Sequence, residues 1–485
     1  MKTFIGIDLG TSAVKLILTD VGGRILNTVS QNYPVIYPRD GWTEQNPADW
    51  LAAVERAIPL LLQGHNPADV EGIGTGGQMH GLVELDGDGK VIRPCILWND
   101  GRTEAETAYL NSVIGKDKLS SFTANVAFAG FTAPKLMWLK EHEPENFARI
   151  RKIMLPKDYL TYCLTGEHVS DYSDASGTLL LDVKNRRWSA DMCRIADISE
   201  NILPRLYDSF EPVGKLNLHY CKLWGMKDVT VCAGAGDNAA AAIGTGTVND
   251  GDCNISLGTS GTVFVAQDGF SVDGQNALHS FCHANGKFHL MGCILSAAAC
   301  NSWWMNILES KEFAVEQEGL DRLSGENDVY FLPYLSGERS PHNDVTARGA
   351  FIGLTPTTTR GQMTLAVMEG VAFALRDCIE VARSNGLKIT RTKICGGGAK
   401  SALWRRIIAD VCNLTVEVPA VEEGPAYGAA ILAMVACGEY DSVQSAYAEL
   451  TSVSERIAPS PERVKKYELR YAKFKKLYPA LKGLF

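Results

Sequence analysis

The residues best placed to do chemistry come in two matched turns. Phe4–Leu18 reads as strand, tight turn and strand: Ile5, Ile7 and Leu9 alternate with Gly6 and Asp8. Gly10-Thr11-Ser12 then interrupts the run with one residue free to take positive φ and two small hydroxyls. Backbone N–H groups of such a turn can point at an anion, and no bulky side chain blocks a phosphate. Asp8, just before the turn, could hold a divalent cation against phosphate oxygens; the plainer alternative is a hairpin with a solvated Asp. Leu-Gly-Thr-Ser recurs at 257–260, about half the chain later, again ahead of an apolar strand, Val263-Phe264-Val265. Ser256 occupies the position equivalent to Asp8. Gly10, Thr11 and Ser12 on one side and Gly258 and Thr259 on the other can therefore both face phosphates, while only the first turn brings a carboxylate. That asymmetry suits a site with one metal, carried by Asp8.

Three further stretches put polar groups at strand ends, where α/β proteins place their ligands. Val70–Thr75 runs into Gly76-Gly77-Gln78-Met79-His80-Gly81, so Gln78 and His80 emerge together; a satisfied core histidine is the alternative. Ile96-Leu97 hands over to Trp98-Asn99-Asp100-Gly101-Arg102, an aromatic platform with amide, carboxylate and guanidinium suited to a polyhydroxylated ligand. The alternative there is a surface ion pair of Asp100 with Arg102, worth little. Val229–Ala235 ends in Gly236-Asp237-Asn238 and a small-residue helix start. Asp237 could take a proton from a substrate hydroxyl or cap a helix. An N-cap position would also lower its pKa and keep it ionised. Later, the strand Ile389–Cys395 meets Gly396-Gly397-Gly398 and the helix 402–412, a place for a base or phosphate against bare backbone.

These groups need elements to hold them. At 485 residues the chain is too long for one core, and the repeated hairpin divides it into two domains, 1–247 and 248–485. Helices are expected over 48–62, 132–143, 156–164, 199–206, 296–308, 360–384 and 402–412, between strands: an α/β organisation. The net charge of −9 argues against nucleic acid, which needs a basic footprint. The basic stretch Arg463–Lys476 reads as the solvated face of a terminal helix. Thirteen cysteines without a CxxC pair fit a reduced, cytoplasmic chain. His279–His283 has the wrong spacing for zinc and reads as packing. No apolar run has the length of a membrane span.

Together these pieces resemble the FGGY carbohydrate kinases. Gly130–His142 is similar to the first family signature, and Gly349–Leu354 with Gln362-Met363 and Ala366–Glu369 to the second. Gly77–Gly81, Trp98–Arg102 and Tyr334–Asp344 are most similar to the branch that acts on xylulose. The resemblance implies two RNase H-like domains, of the actin/Hsp70/sugar kinase type, around a central cleft. It implies Met79, His80, Asp237 and Asn238 as sugar contacts with Trp98 near them, Asp237 as general base and Asp8 as the Mg²⁺ carboxylate. It places Gly396, Gly397 and Gly398 near adenosine, with Trp303 a further candidate there. The expected reaction is ATP-dependent phosphorylation of a ketopentose, D-xylulose first, with ribulose or a ketohexose as alternatives. The expected partners are the sugar and ATP, without nucleic acid or membrane, and a homodimer is left open. An actin- or Hsp70-like nucleotide switch needs no sugar pocket, and a non-catalytic sugar sensor would lack Asp8 or Asp237.

Overall fold

The alternation around Asp8 forms the strand its pattern requires. Thr3–Leu9 turns back through Gly10–Ser12 into Ala13–Asp20, antiparallel, with Leu9 opposite Val14. A computed structural model describes residues 1–421 and 423–485. They fall into two compact units. The first is Met1–Val248 with Ser280–Phe288 and Glu423–Thr451; the second holds the remaining described residues. The break after Val248 lies beside the expected one, but two later segments return to the first unit, so the units are not simply the two halves of the chain.

The main sheet of the first unit runs Pro212–Lys215, Thr230–Cys232, Val70–Gly77, Thr3–Leu9, Ala13–Asp20, Ile25–Asn32. Val70–Gly77 is parallel to both its neighbours. In the second unit, Cys253–Leu257 and Gly261–Gln267 repeat the hairpin, and Arg391–Cys395 lies parallel to the first of these, with Ser256 opposite Cys395. Helices pack on both sheets, giving the α/β organisation anticipated. The span 199–206 is not helical: a single turn, Glu200–Ile202, precedes the strand Arg205–Tyr207, which pairs with Val169–Asp171. Sheet pairing there outweighs local helix propensity. The terminal helix Pro461–Leu481 is not simply solvated either. It buries Tyr467, Tyr471, Phe474 and Tyr478, and Arg470 donates to Glu369 at 2.6 Å. Among the described residues no helix is long and apolar enough to cross a membrane.

The segment that returns to the first unit is built for contact without side chains. Its helix Gly424–Ala436 lies against Thr3–Leu9, Val70–Gly77 and the helix Asp237–Thr245. A Cβ on Gly6 would stand 1.9 Å from the Ala426 carbonyl oxygen, and one on Gly74 2.0 Å from that of Ala429. A Cβ on Gly428 would meet the Ala240 carbonyl oxygen at 1.8 Å. Only glycine permits these approaches.

Beneath the end of Val70–Gly77 sits a fully buried lysine. Lys157 Nζ lies 2.5 Å from Asp158, 2.9 Å from Asp171 and 3.9 Å from Asp174. Burial opposes its charge, but the three carboxylates outweigh burial and raise its pKa. Asp171 in turn accepts from the Ser173 hydroxyl at 2.5 Å, and that hydroxyl accepts the Gly236 N–H at 3.2 Å. A buried charge thus fixes the backbone one residue before Asp237.

Two outcomes follow from these contacts. Gly428→Val is expected to destabilise the first unit by on the order of 3 kcal/mol, read as a fall in its melting temperature. An unchanged melting curve would show that the helix can move away. Lys157→Met strands three buried carboxylates and is expected to cost about 3–5 kcal/mol at neutral pH in denaturant titration. The deficit should shrink on acidification, as protonation neutralises those carboxylates.

Candidate active site

Three neighbouring parallel strands of the first unit end together. Asp8 pairs with Gly76 and Leu9 with Gly77 in one direction, and Ala235 and Gly236 pair with Gly76 and Gly77 in the other. Register alone therefore brings Asp8, the Gly10–Ser12 turn, Gln78-Met79-His80 and Asp237-Asn238 to one edge. Small residues let the rows close: Cβ atoms on Gly236 and Gly177 would stand 3.0 Å from Met79 and 2.4 Å from the His80 ring.

His80 adopts a left-handed φ of 71°, unusual for a residue with a Cβ. Its surroundings hold it there. Nδ1 donates to the Gly177 carbonyl at 2.6 Å, and the ring stacks on Phe131 at 4.7 Å. The His80 carbonyl accepts from Thr132 Oγ1 at 3.1 Å and from Lys135 Nζ at 2.8 Å. Lys135 is fully buried, also donates to Gly130, and its pKa is pulled down to about 7 by burial. Nδ1 therefore carries a proton, and this bond fixes the orientation of the ring.

Not every expected sugar contact lies with His80. Gln78 is buried and its amide donates to Gln45 at 2.9 Å; Gln45 in turn donates to the Thr11 carbonyl at 2.6 Å. Trp98 is 40% exposed and its Nε1 donates to the Thr11 hydroxyl at 3.0 Å. Both side chains thus bear on the turn. Asp100 and Arg102 are neither a surface pair nor a ligand platform. Their side chains are buried and joined twice at 2.8 Å, and Arg102 also meets Glu44 at 2.7 Å and lies over Trp42.

In both repeated turns the glycine and threonine carbonyls are held by hydrogen bonds, though from different donors. In the first, Gly10 O accepts from the Tyr33 hydroxyl, Thr11 O from Gln45 and Ser12 O from the Tyr33 N–H. In the second, Ala298 N–H donates to Gly258 O, and the N–H groups of Ala297 and Ala299 donate to Thr259 O. The carbonyls are held from behind, while the N–H groups of Thr11, Ser12, Thr259 and Ser260 donate to none of the described residues. Such turns suit anions.

Electrostatics single out the acidic pair. Burial pushes Asp8 up to about 7; Asp237 and Glu423 add to the rise and Lys15 opposes it. Lys15 itself pairs with Glu423 at 2.8 Å. Burial also raises Asp237, to about 6, against the backbone N–H and side-chain amide of Asn238, which donate to it at 2.7 and 2.9 Å. The expected lowering is therefore reversed. Asp237 is the first residue of its helix rather than the cap, which is Gly236, and desolvation exceeds the help from Asn238. The Asp8 carboxylate accepts no hydrogen bond from the described residues, and oxygen donors of this charge fit Mg²⁺.

The second unit contains a cavity of about 850 Å³ lined by Gly397, Gly398, Ser401, Asn301, Phe313 and Gln317, among others. Gly396 instead takes φ 88° against the Leu257 backbone. Trp303 does not line the cavity. Its ring stacks on Phe331 and Phe351, while Ala298, Asn301 and Ser302 of the same helix face the opening. The side chains contributed by 301–302 and 313–317 carry no motif and were not singled out by the sequence. Near the other end of the chain's polar cluster, His283 Nε2 lies 2.9 Å from the Thr247 carbonyl, a packing contact.

Comparison with known proteins now bears on this geometry. The N-terminal domain of the FGGY family of carbohydrate kinases matches residues 3–244 and its C-terminal domain residues 253–437. The chain is 41% identical to the xylulose kinase of Escherichia coli (strain K12) over 481 residues, 99% of each protein. The crystal structure of a xyloylose kinase from Brucella ovis superposes with a TM-score of 0.93 at 41% identity, covering all of both chains. A gluconate kinase from Lactobacillus acidophilus superposes as well, with a TM-score of 0.95 over 99% of this chain and 98% of its own, but at 26% identity. Matched along most of its length by both domains, this chain belongs to the FGGY family of carbohydrate kinases.

Proposed function

We propose that the chain transfers the γ-phosphoryl group of ATP to D-xylulose, giving D-xylulose 5-phosphate and ADP. The observation that carries this reading is the shared edge of three parallel strands, where Asp237 stands beside Met79-His80 and within electrostatic reach of Asp8. The choice of sugar rests on the full-length 41% identity to a xylulose kinase. Fold alone does not make that choice, since a gluconate kinase shares it.

Phosphoryl transfer needs an aligned nucleophile and neutralised charge more than covalent help from the protein. In the proposed step the sugar hydroxyl oxygen bonds to the γ-phosphorus as the bond to the β–γ bridging oxygen breaks. Asp237 accepts the hydroxyl proton. Asn238 holds the accepting carboxylate, and Met79 with His80 orients the sugar. The N–H groups of Thr11 and Ser12 in the first unit suit phosphate oxygens, as do those of Thr259 and Ser260 in the second, whose cavity takes the nucleoside. Asp8 is the carboxylate that would hold Mg²⁺, which supplies positive charge to the phosphates when bound.

Asp237→Ala is expected to bind xylulose, by calorimetry, within about tenfold of the parent, while coupled ADP release falls roughly 10²–10⁴-fold. Near-normal turnover would remove Asp237 from the base role. The pH profile gives a second check. A base works only when deprotonated, and Asp237 sits near 6 with Asp8 near 7. Because the two carboxylates interact, kcat/KM should decline through a composite acid limb between about pH 7 and 6, well above an ordinary aspartate. Lys15 lowers Asp8, so Lys15→Met should move that limb to higher pH.

A further inference from the structure

Away from the strand ends lies a cluster with the chemistry of a metal site and no part in the reaction. Glu106 belongs to the short helix Glu104–Tyr109, and Glu141 and His142 to the last turn of the helix Thr132–His142. One ligand atom from each of the three lies within 4.8 Å of the others. Glu106 and Glu141 help to wall a cavity of about 470 Å³.

Two independent observations show that the cluster is more than an acidic patch. Glu106 is only 5% exposed, and its Oε2 is buried with no hydrogen-bond partner among the described residues. A buried carboxylate oxygen without a donor calls for a partner of another kind. Secondly, His142 is oriented as metal-bound imidazoles are. Its Nδ1 faces the Trp138 carbonyl at 3.1 Å and its ring lies flat on the Trp138 indole, centroids 4.8 Å apart and 9° between planes. That contact places the proton on Nδ1 and the lone pair on Nε2, the usual outer support of a ligating histidine.

Charge completes the argument. Two carboxylates stand beside an imidazole nitrogen, and the carbonyls of a helix's last turn add partial negative charge. The one lysine on the same cavity wall, Lys140, is paired with Asp197 at 2.7 Å. One nitrogen and two oxygen ligands suit a borderline ion such as Zn²⁺ or Co²⁺ better than Mg²⁺ or Ca²⁺. We propose that Glu106, Glu141 and His142 form a binding site for one divalent transition-metal ion, separate from Asp8.

The test uses the full-length chain, stripped with chelator and titrated with Co²⁺ alone. Visible Co²⁺ bands without thiolate charge-transfer absorption are expected, saturating at one more ion in the parent than in His142→Ala or Glu141→Gln. Glu106→Gln should lose the same bands. Without metal it should melt no lower than the parent, because it removes a buried unpaired charge; metal should then raise the melting temperature of the parent only. Equal Co²⁺ spectra and stoichiometry in the parent and His142→Ala would overturn the proposal, as would bands carried by thiolate. His142 and Glu141 are exposed, so loss of the bands in well-folded variants reports the site and not the fold.

Discussion

The contact on which the first unit depends is between backbone and backbone. Helix 424–436 has almost no side chains where it touches the sheet, and the strands it touches have none at Gly6 and Gly74. Close approach there sets the height of two adjacent parallel strands against the same helix. Gly428 sets the helix bearing Asp237 against it as well. The positions of Asp8, the 76–80 segment and Asp237 are then consequences of one packing constraint plus hydrogen-bond register. A methyl group at any of these glycines would displace all three.

Two buried lysines do the local work that the glycines leave undone. Lys135 lends two N–H bonds to the carbonyls of His80 and Gly130, which keeps His80 in a backbone conformation it would not choose. Lys157 organises three aspartates and, through Ser173, the backbone before Asp237. Lys135 reaches the edge through the His80 carbonyl, and Lys157 acts on it through Ser173. Removing either leaves buried polar groups unmatched, so each bears on the site through the backbone it holds.

The chemistry was far more legible in the chain than its support. Asp8 with its turn, the repeat at 257–260 and the strand ends at 78–80 and 237–238 are local patterns, and local patterns survive in sequence. Register brings the first turn and the two strand ends to one edge of the first unit's sheet. What could not be read was anything set by distant partners. Gln78 and Trp98 look like ligand groups beside glycines, yet Gln45 and Thr11, far away in sequence, engage them. Asp100 and Arg102 look exposed until Trp42 and Glu44 cover them. The direction of the Asp237 shift was missed for the same reason: a cap is local, desolvation is not. Trp303 turns away from the cavity by helical phase, since neighbours on one helix face different sides.

The order in which the chain is made gives the return of residues 423–451 another meaning. The first unit's other residues end at Phe288, but the helix that covers its sheet is more than 130 residues further on. At about 5–20 residues per second, roughly seven to thirty seconds pass between completion of Phe288 and synthesis of the helix that covers Gly6 and Gly74. During that interval the strands present an apolar face with no partner, the condition under which nascent chains aggregate or recruit chaperones. Long sequence separation also makes the contact a late and entropically costly one. The unit that begins the chain is therefore finished only near its end, and the glycine faces that position Asp8 and Asp237 are among its last to be closed.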